Sequence, residues 1–146
     1  MASYDRIDWH SGGDFPENLP AENGGTHIGM YLTWIIENDL YGDMHREDSK
    51  DAIQKVLKRE WTGRDFLINE CDEKFWDGDL NEEGNEFTKF YYDTQNEIGV
   101  SYFLEDYAVL FGDTVESIYE VENTWDNYDK LKALIDNRYK QWASGK

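Results

Sequence analysis

Between Thr26 and Leu40 the apolar residues Ile28, Tyr31, Leu32, Ile35 and Ile36 fall at i, i+3, i+4, i+7 and i+8, the spacing of one buried helical face. No other segment is as apolar, so this helix is expected at the centre of the fold. Thr26 reads as its N-cap, and the helix is expected to run to about Leu40 and stop near Gly42. The same kind of stripe recurs along the chain. A second helix is predicted from about Glu47 to Arg59, with Ala52, Ile53, Val56 and Leu57 inward, ending by Trp61. Thr62 followed three positions later by Asp65 has the form of a capping box and opens a third helix with Phe66, Leu67 and Cys71 on one side. Asn81 before Glu82 and Glu83 starts a fourth, because anionic side chains suit the positive end of a helix dipole, and Phe87, Phe90 and Tyr91 form its stripe. A fifth covers roughly Val100 to Phe111 with Phe103, Tyr107 and Leu110 inward. The last starts at Asn123 or Thr124 and carries Trp125, Tyr128, Leu131, Ile135 and Trp142 along one face.

These elements predict an all-α fold of five to seven helices in one domain over residues 1–146, with the helical body at 26–142. The first 25 residues lack helical periodicity and contain Pro16, Pro20, Gly12, Gly13, Gly24 and Gly25, so they read as an ordered irregular loop. Within it, Ile7 and Trp9 alternate with polar neighbours as a short extended piece would, and Phe15 before Pro16 offers an apolar anchor to the core.

Charge narrows the function classes. The chain carries 32 Asp and Glu against 14 Lys and Arg, a net charge of -18, which repels phosphate backbones and anionic membranes and attracts basic proteins. Aromatic residues at 16% supply enough apolar mass for a folded core despite that charge. No stretch approaches the roughly 20 apolar residues of a membrane span, and MASYDRIDWH has no signal-peptide character, so a cytoplasmic location is expected. A single Cys71 and three His give neither an internal disulfide nor a structural zinc framework of about four N or S ligands, and no cofactor or metal is expected. Charge is also uneven. Residues 90–129 hold ten carboxylates and no Lys or Arg, whereas 130–146 hold five basic residues and only Asp136.

Several motifs fall short of their chemistry. Asp77-Gly78-Asp79-Leu80-Asn81 starts like a calcium loop but has Glu82 where the turn needs Gly and Thr88 where the ion needs a bidentate carboxylate, so it reads as an acidic turn capping the next helix. Ser11 lacks the strand and elbow of a hydrolase nucleophile, and Cys71 is placed in a buried helix position where a thiol is inert. The loop group Asp8, His10, Asp14, Glu22 and His27 has two readings: a side-chain network that keeps a glycine-rich segment folded, or a site for a metal-dependent or hydrolytic enzyme. Among the aromatics interleaved with carboxylates, most rings are core. Any left partly exposed would combine rigid apolar area with negative charge, which suits a basic protein partner. On that basis Glu105, Asp106, Tyr107, Asp113, Glu116, Tyr119, Glu120, Glu122 and Asp126 are the candidate contact residues.

The opening Ile7-Asp8-Trp9-His10-Ser11-Gly12-Gly13-Asp14-Phe15-Pro16, continued by Glu22-Asn23-Gly24-Gly25-Thr26-His27-Ile28-Gly29-Met30, resembles a family of small acidic bacterial domains without an established activity. Thr62-Gly63-Arg64, Phe66-Leu67-Ile68-Asn69-Glu70-Cys71-Asp72 and Glu122-Asn123-Thr124-Trp125 carry the resemblance over nearly the whole chain. Proteins of this kind look similar, in size and acidity, to immunity proteins that neutralise toxins of bacterial competition. The resemblance implies no catalytic residues. The expectation is an immunity-type protein, not an enzyme, that binds a basic cognate toxin stoichiometrically.

Overall fold

The computed structural model describes residues 3–11, 15–93, 101–113, 115 and 117–145. Among these the chain forms eight α-helices and one two-stranded sheet, in the order β1 (Ser3–Arg6), α1 (Ile7–Ser11), a 3-10 turn (Ala21–Gly25), α2 (Thr26–Glu37), α3 (Asp43–Asp48), α4 (Lys50–Leu57), α5 (Gly63–Glu70), β2 (Lys74–Trp76), a 3-10 turn (Asp77–Asp79), α6 (Glu82–Tyr91), α7 (Tyr102–Phe111), a 3-10 turn (Ile118–Glu120) and α8 (Trp125–Ser144). The fold is mostly helical, as the periodicity predicts, but it is not purely α. β1 pairs antiparallel with β2 in the register Ser3↔Trp76, Asp5↔Phe75 and Arg6↔Lys74.

α2 is the axis of the core. Every residue from Thr26 to Ile36 is buried, so the helix is enclosed on all sides and not only along its apolar stripe. Its closest neighbour is α5, and the two backbones meet at glycines: a β-carbon on Gly29 would lie 2.3 Å from Arg64 N. Around α2 stand Phe66 and Leu67 of α5, Phe75 of β2, Phe87 and Tyr91 of α6, Phe103 and Tyr107 of α7, and Leu131 and Ile135 of α8, all buried. Three buried tyrosine hydroxyls find polar anchors, as most buried polar groups do: Tyr31 on Thr88 Oγ1 at 2.8 Å, Tyr91 on Asp106 Oδ2 at 2.7 Å, and Tyr128 on Glu37.

Local signals set several boundaries where the sequence places them. Thr62 accepts from Asp65 N and Asp65 returns the bond to Thr62 N, completing the capping box of α5. Asn81 caps α6 and Thr124 caps α8, each through its side chain. Others differ. Thr26 is the first helical residue of α2 and Gly25 its cap, because the Thr26 hydroxyl is taken by Arg64 Nη1 at 3.1 Å. α2 ends at Glu37, with Asp39 at a φ of 58° turning the chain out of the helix. The predicted helix over Glu47 to Arg59 is two short helices broken at Ser49, and Leu57 at its end is exposed. Ser101 caps α7, which begins at Tyr102, and Val100 lies outside the described residues. Phe90 is partly exposed, against Tyr102.

Residues 3–11 and 15–25 are more regular than expected. The extended piece is Ser3–Arg6, and Ile7 and Trp9 belong to the short helix that follows, with Ile7 buried and Trp9 on the outside. Phe15 is half-buried and packs on the Tyr119 ring at 4.9 Å instead of anchoring to the core, since neither ring joins the core cluster. No helix among the described residues is long and apolar enough to cross a membrane.

Candidate functional site

β1 and α1 bring the N-terminus onto the first turn of α2, and two of the predicted loop residues meet there. His10 Nε2 lies 2.6 Å from Asp5 Oδ1 and His27 Nε2 lies 3.0 Å from Asp5 Oδ2. The Tyr92 hydroxyl donates to Oδ2 at 2.6 Å and the Arg6 backbone N–H to Oδ1 at 2.9 Å, so four groups converge on one buried carboxylate. An ionised carboxylate only accepts, which puts a hydrogen on Nε2 of both rings. The second nitrogen of His10, Nδ1, is 2.7 Å from the Tyr119 hydroxyl. Asn23 Nδ2 donates to the Tyr119 carbonyl at 3.0 Å, tying the 3-10 turn at 118–120 to the one before α2.

Electrostatics follow from burial and partners. Burial alone would push the Asp5 carboxyl up, but the hydrogen bonds and charges of His10 and His27 outweigh it and hold Asp5 well below the ordinary carboxylate range. Burial pushes the His27 imidazole down against the pull of Asp5, and His10 beside it acts in the same direction. Burial, with Asp5 adding to it, pushes the Tyr92 hydroxyl far up, which keeps it a donor.

The remaining loop candidates do not join this cluster. Asp8 is exposed and paired with Arg6 at 2.7 Å. Glu22 is exposed, 3.7 Å from Arg64 Nη2. Asp14, like Gly12 and Gly13, lies outside the described residues. Asp5, the hub, is absent from the predicted set, since a lone Asp five residues before a His carries no recognisable spacing.

A second buried cluster joins α3, the end of α5 and the turn after β2. His45 Nε2 is 2.8 Å from Asp79 Oδ1 and 3.9 Å from Cys71 Sγ, while His45 Nδ1 is 3.1 Å from Ser49 Oγ. Asp79 Oδ2 accepts from Trp76 N at 3.0 Å. Cys71 caps the end of α5 and does not sit mid-helix, although it is buried as expected, and burial together with Asp79 pushes its thiol well up. Asp79, part of the predicted acidic turn, closes its own 3-10 turn instead of capping α6. In each of the two clusters, three N, O or S ligand atoms lie within 4.8 Å of one another: Asp5, His10 and His27, and His45, Cys71 and Asp79.

The predicted contact residues divide three ways. Glu105, Asp113, Glu122 and Asp126 are exposed and form no ion pair among the described residues. Glu105 shares a face of α7 with Val109, which is 80% exposed, and Asp113 follows one turn later. Two candidates are turned inward. Tyr107 is fully buried and cannot reach a partner, and Asp106 is taken by Tyr91 and by Arg138 at 3.0 and 3.1 Å. Tyr119 is committed to His10, Glu120 accepts from Ser117 N at 2.8 Å, and Glu116 lies outside the described residues. The acidic run is also partly neutralised, since Asp129 is paired with Arg59 at 2.8 Å.

Fold and site together define an acidic, mostly helical domain whose N-terminal strand is clamped to the central helix through one buried carboxylate. The chain belongs to the family described as a domain of unknown function, DUF7832, whose model matches residues 3–121. No curated protein and no solved structure matches it.

Proposed function

We propose that this chain is an immunity-type protein that neutralises a basic toxin by stoichiometric binding, meeting it with the outer face of α7 and the segment that follows. The observation that carries the reading is the set Glu105, Val109 and Asp113: an exposed apolar side chain with carboxylates one turn to either side, in a molecule of net charge -18. Carboxylates of this kind accelerate encounter with a cationic surface, and the apolar residue supplies desolvated contact once the partner has docked. Neutralisation by occlusion requires no reactive group.

The test is growth rescue on co-expression with a panel of basic nuclease toxin domains, followed by binding kinetics on any rescued pair. The double substitution Glu105→Lys with Asp113→Lys should abolish rescue and slow association at low salt while leaving the melting temperature unchanged. Full rescue by the double variant, or no toxin rescued across the panel, would sink this assignment.

A hydrolytic centre at the N-terminus is the second reading, favoured by the meeting of His10 and His27 on Asp5. His10→Gln separates the two. An enzyme loses turnover at unchanged stability, whereas a structural clamp loses about 1 to 3 kcal/mol from the partners left unsatisfied.

A further inference from the structure

We propose that His45, Cys71 and Asp79 form a zinc-binding site, completed by a water molecule from the cleft that Cys71 lines. This site is separate from the protein-binding face proposed above and stands without it.

The arrangement of the three side chains argues for a shared ion over a catalytic relay. A Cys–His–Asp relay places the thiol and the carboxylate on opposite nitrogens of the imidazole. Here both lie at Nε2, Asp79 Oδ1 at 2.8 Å and Cys71 Sγ at 3.9 Å, so the ligand atoms converge on a common point. Tetrahedral zinc with ordinary Zn–N, Zn–O and Zn–S bonds separates such atoms by roughly 3.3 to 3.6 Å. The observed pair straddles that interval, and shifts of a few tenths of an ångström bring both into it.

Each of the two ligands that need orienting is held from behind, as metal ligands are. Ser49 Oγ sits 3.1 Å from His45 Nδ1 and leaves Nε2 facing the cluster, and the Trp76 N–H at 3.0 Å occupies Asp79 Oδ2 and leaves Oδ1 facing it. Phe66 packs on the His45 ring at 5.0 Å and fixes its plane. The ligands come from three separate elements, α3, the end of α5 and the turn after β2, so an ion there would tie together parts of the chain that are far apart in sequence.

Ion type and access follow from the donors. A thiolate with an imidazole and a carboxylate suits zinc, whereas magnesium and calcium take oxygen donors. Of the three ligands Cys71 alone borders a surface cleft, one of about 290 Å³ lined with it by Ser3, Asp72, Lys74 and Trp76, so an ion and its solvent ligand would have to enter from the sulfur side. On binding, the Cys71 S–H bond breaks, the sulfur keeps the electron pair that ligates the metal, and the proton leaves to solvent. The Asp5 cluster is the weaker competitor: it has no sulfur, and its carboxylate already receives four hydrogen bonds.

The test is titration of the metal-free full chain with cobalt(II), a spectroscopic stand-in for zinc. The expected result is one equivalent bound with a sulfur-to-cobalt charge-transfer band and tetrahedral visible bands, displaced by zinc. Cys71→Ser should remove the charge-transfer band, and Ser49→Ala should weaken binding about tenfold. The wild-type spectrum decides even if a variant fails to fold. Cobalt bound without a sulfur band and lost in His10→Gln would assign the metal to the Asp5 cluster and overturn the proposal, as would no binding at all.

Discussion

Gly63 rests so closely on the carbonyl of Gly29 that a β-carbon built on it would lie 1.8 Å from that oxygen and 2.3 Å from Thr33 Oγ1. The neighbours are backbone and a β-branched side chain inside the buried helix α2, so they cannot give way without moving the axis of the core. Gly63→Ala should therefore cost about 3 kcal/mol or more, although alanine is intrinsically the better helix former. Chemical denaturation compared with the wild type measures it. A loss under about 0.5 kcal/mol would mean that the two helices do not pack this closely.

Acid should destabilise the fold from near neutrality downward. The folded His27 imidazole lies below its usual value, so the unfolded chain binds the extra proton first, and stability present above about pH 6.5 is lost as the pH falls through that range. The folded Asp5 carboxyl is also depressed, so its contribution is present above about pH 4 and disappears as the pH falls toward its folded value. The two effects share one sign. Urea midpoints measured from pH 8 down to pH 2 should fall below about pH 6.5 and again below about pH 4, and Asp5→Asn should remove the second fall.

Tyr107 is a buried hydroxyl without a hydrogen-bond partner among the described residues. An unsatisfied buried hydroxyl costs free energy that phenylalanine does not incur. Tyr107→Phe should leave stability unchanged or raise it by about 1 kcal/mol, read as a higher melting temperature. A drop of similar size would reveal a partner for the hydroxyl.

Thr62 serves two elements at once: its hydroxyl takes the Asp65 N–H of the α5 capping box and the Asn123 amide, at 3.3 and 3.0 Å. Thr62→Ala should cost about 1 to 2 kcal/mol, at the upper end of what a cap alone contributes. Asn123→Ala should cost less, and the double variant less than the sum, since the residues share one bond.

What the sequence reveals here is what local chemistry decides. The caps at Thr62, Asn81 and Thr124 each act within three residues of themselves, and the helices they open start where the sequence predicts. The central place of α2 follows from its apolar density in the same way. The β1–β2 pairing was not legible, because four residues at the N-terminus find their partner some seventy positions later and neither strand has enough alternation to declare itself. The break at Ser49 is hidden for a different reason: α3 (Asp43–Asp48) buries only His45 and has no apolar stripe of its own, so the sequence shows only the stripe of α4, Ala52, Ile53 and Val56. The sites show the same limit. His10 and His27 are identifiable by residue type, but the carboxylate that joins them and the tyrosine that backs His10 come from distant segments. Tyr119 reads from the sequence as a contact residue, yet its hydroxyl faces His10.

The family match ends at residue 121, yet α8 begins at Trp125. Tyr128, Leu131 and Ile135 of that helix are buried, Asp136 accepts the indole hydrogen of Trp34 at 2.8 Å, and Arg138 neutralises Asp106. Cutting the chain at the border of the shared region would thus open a wet seam along the tryptophan and phenylalanine wall of α2 and α6. Helix α8 belongs to the cooperative unit, and an expression fragment trimmed to the recognised span should be recovered as aggregate.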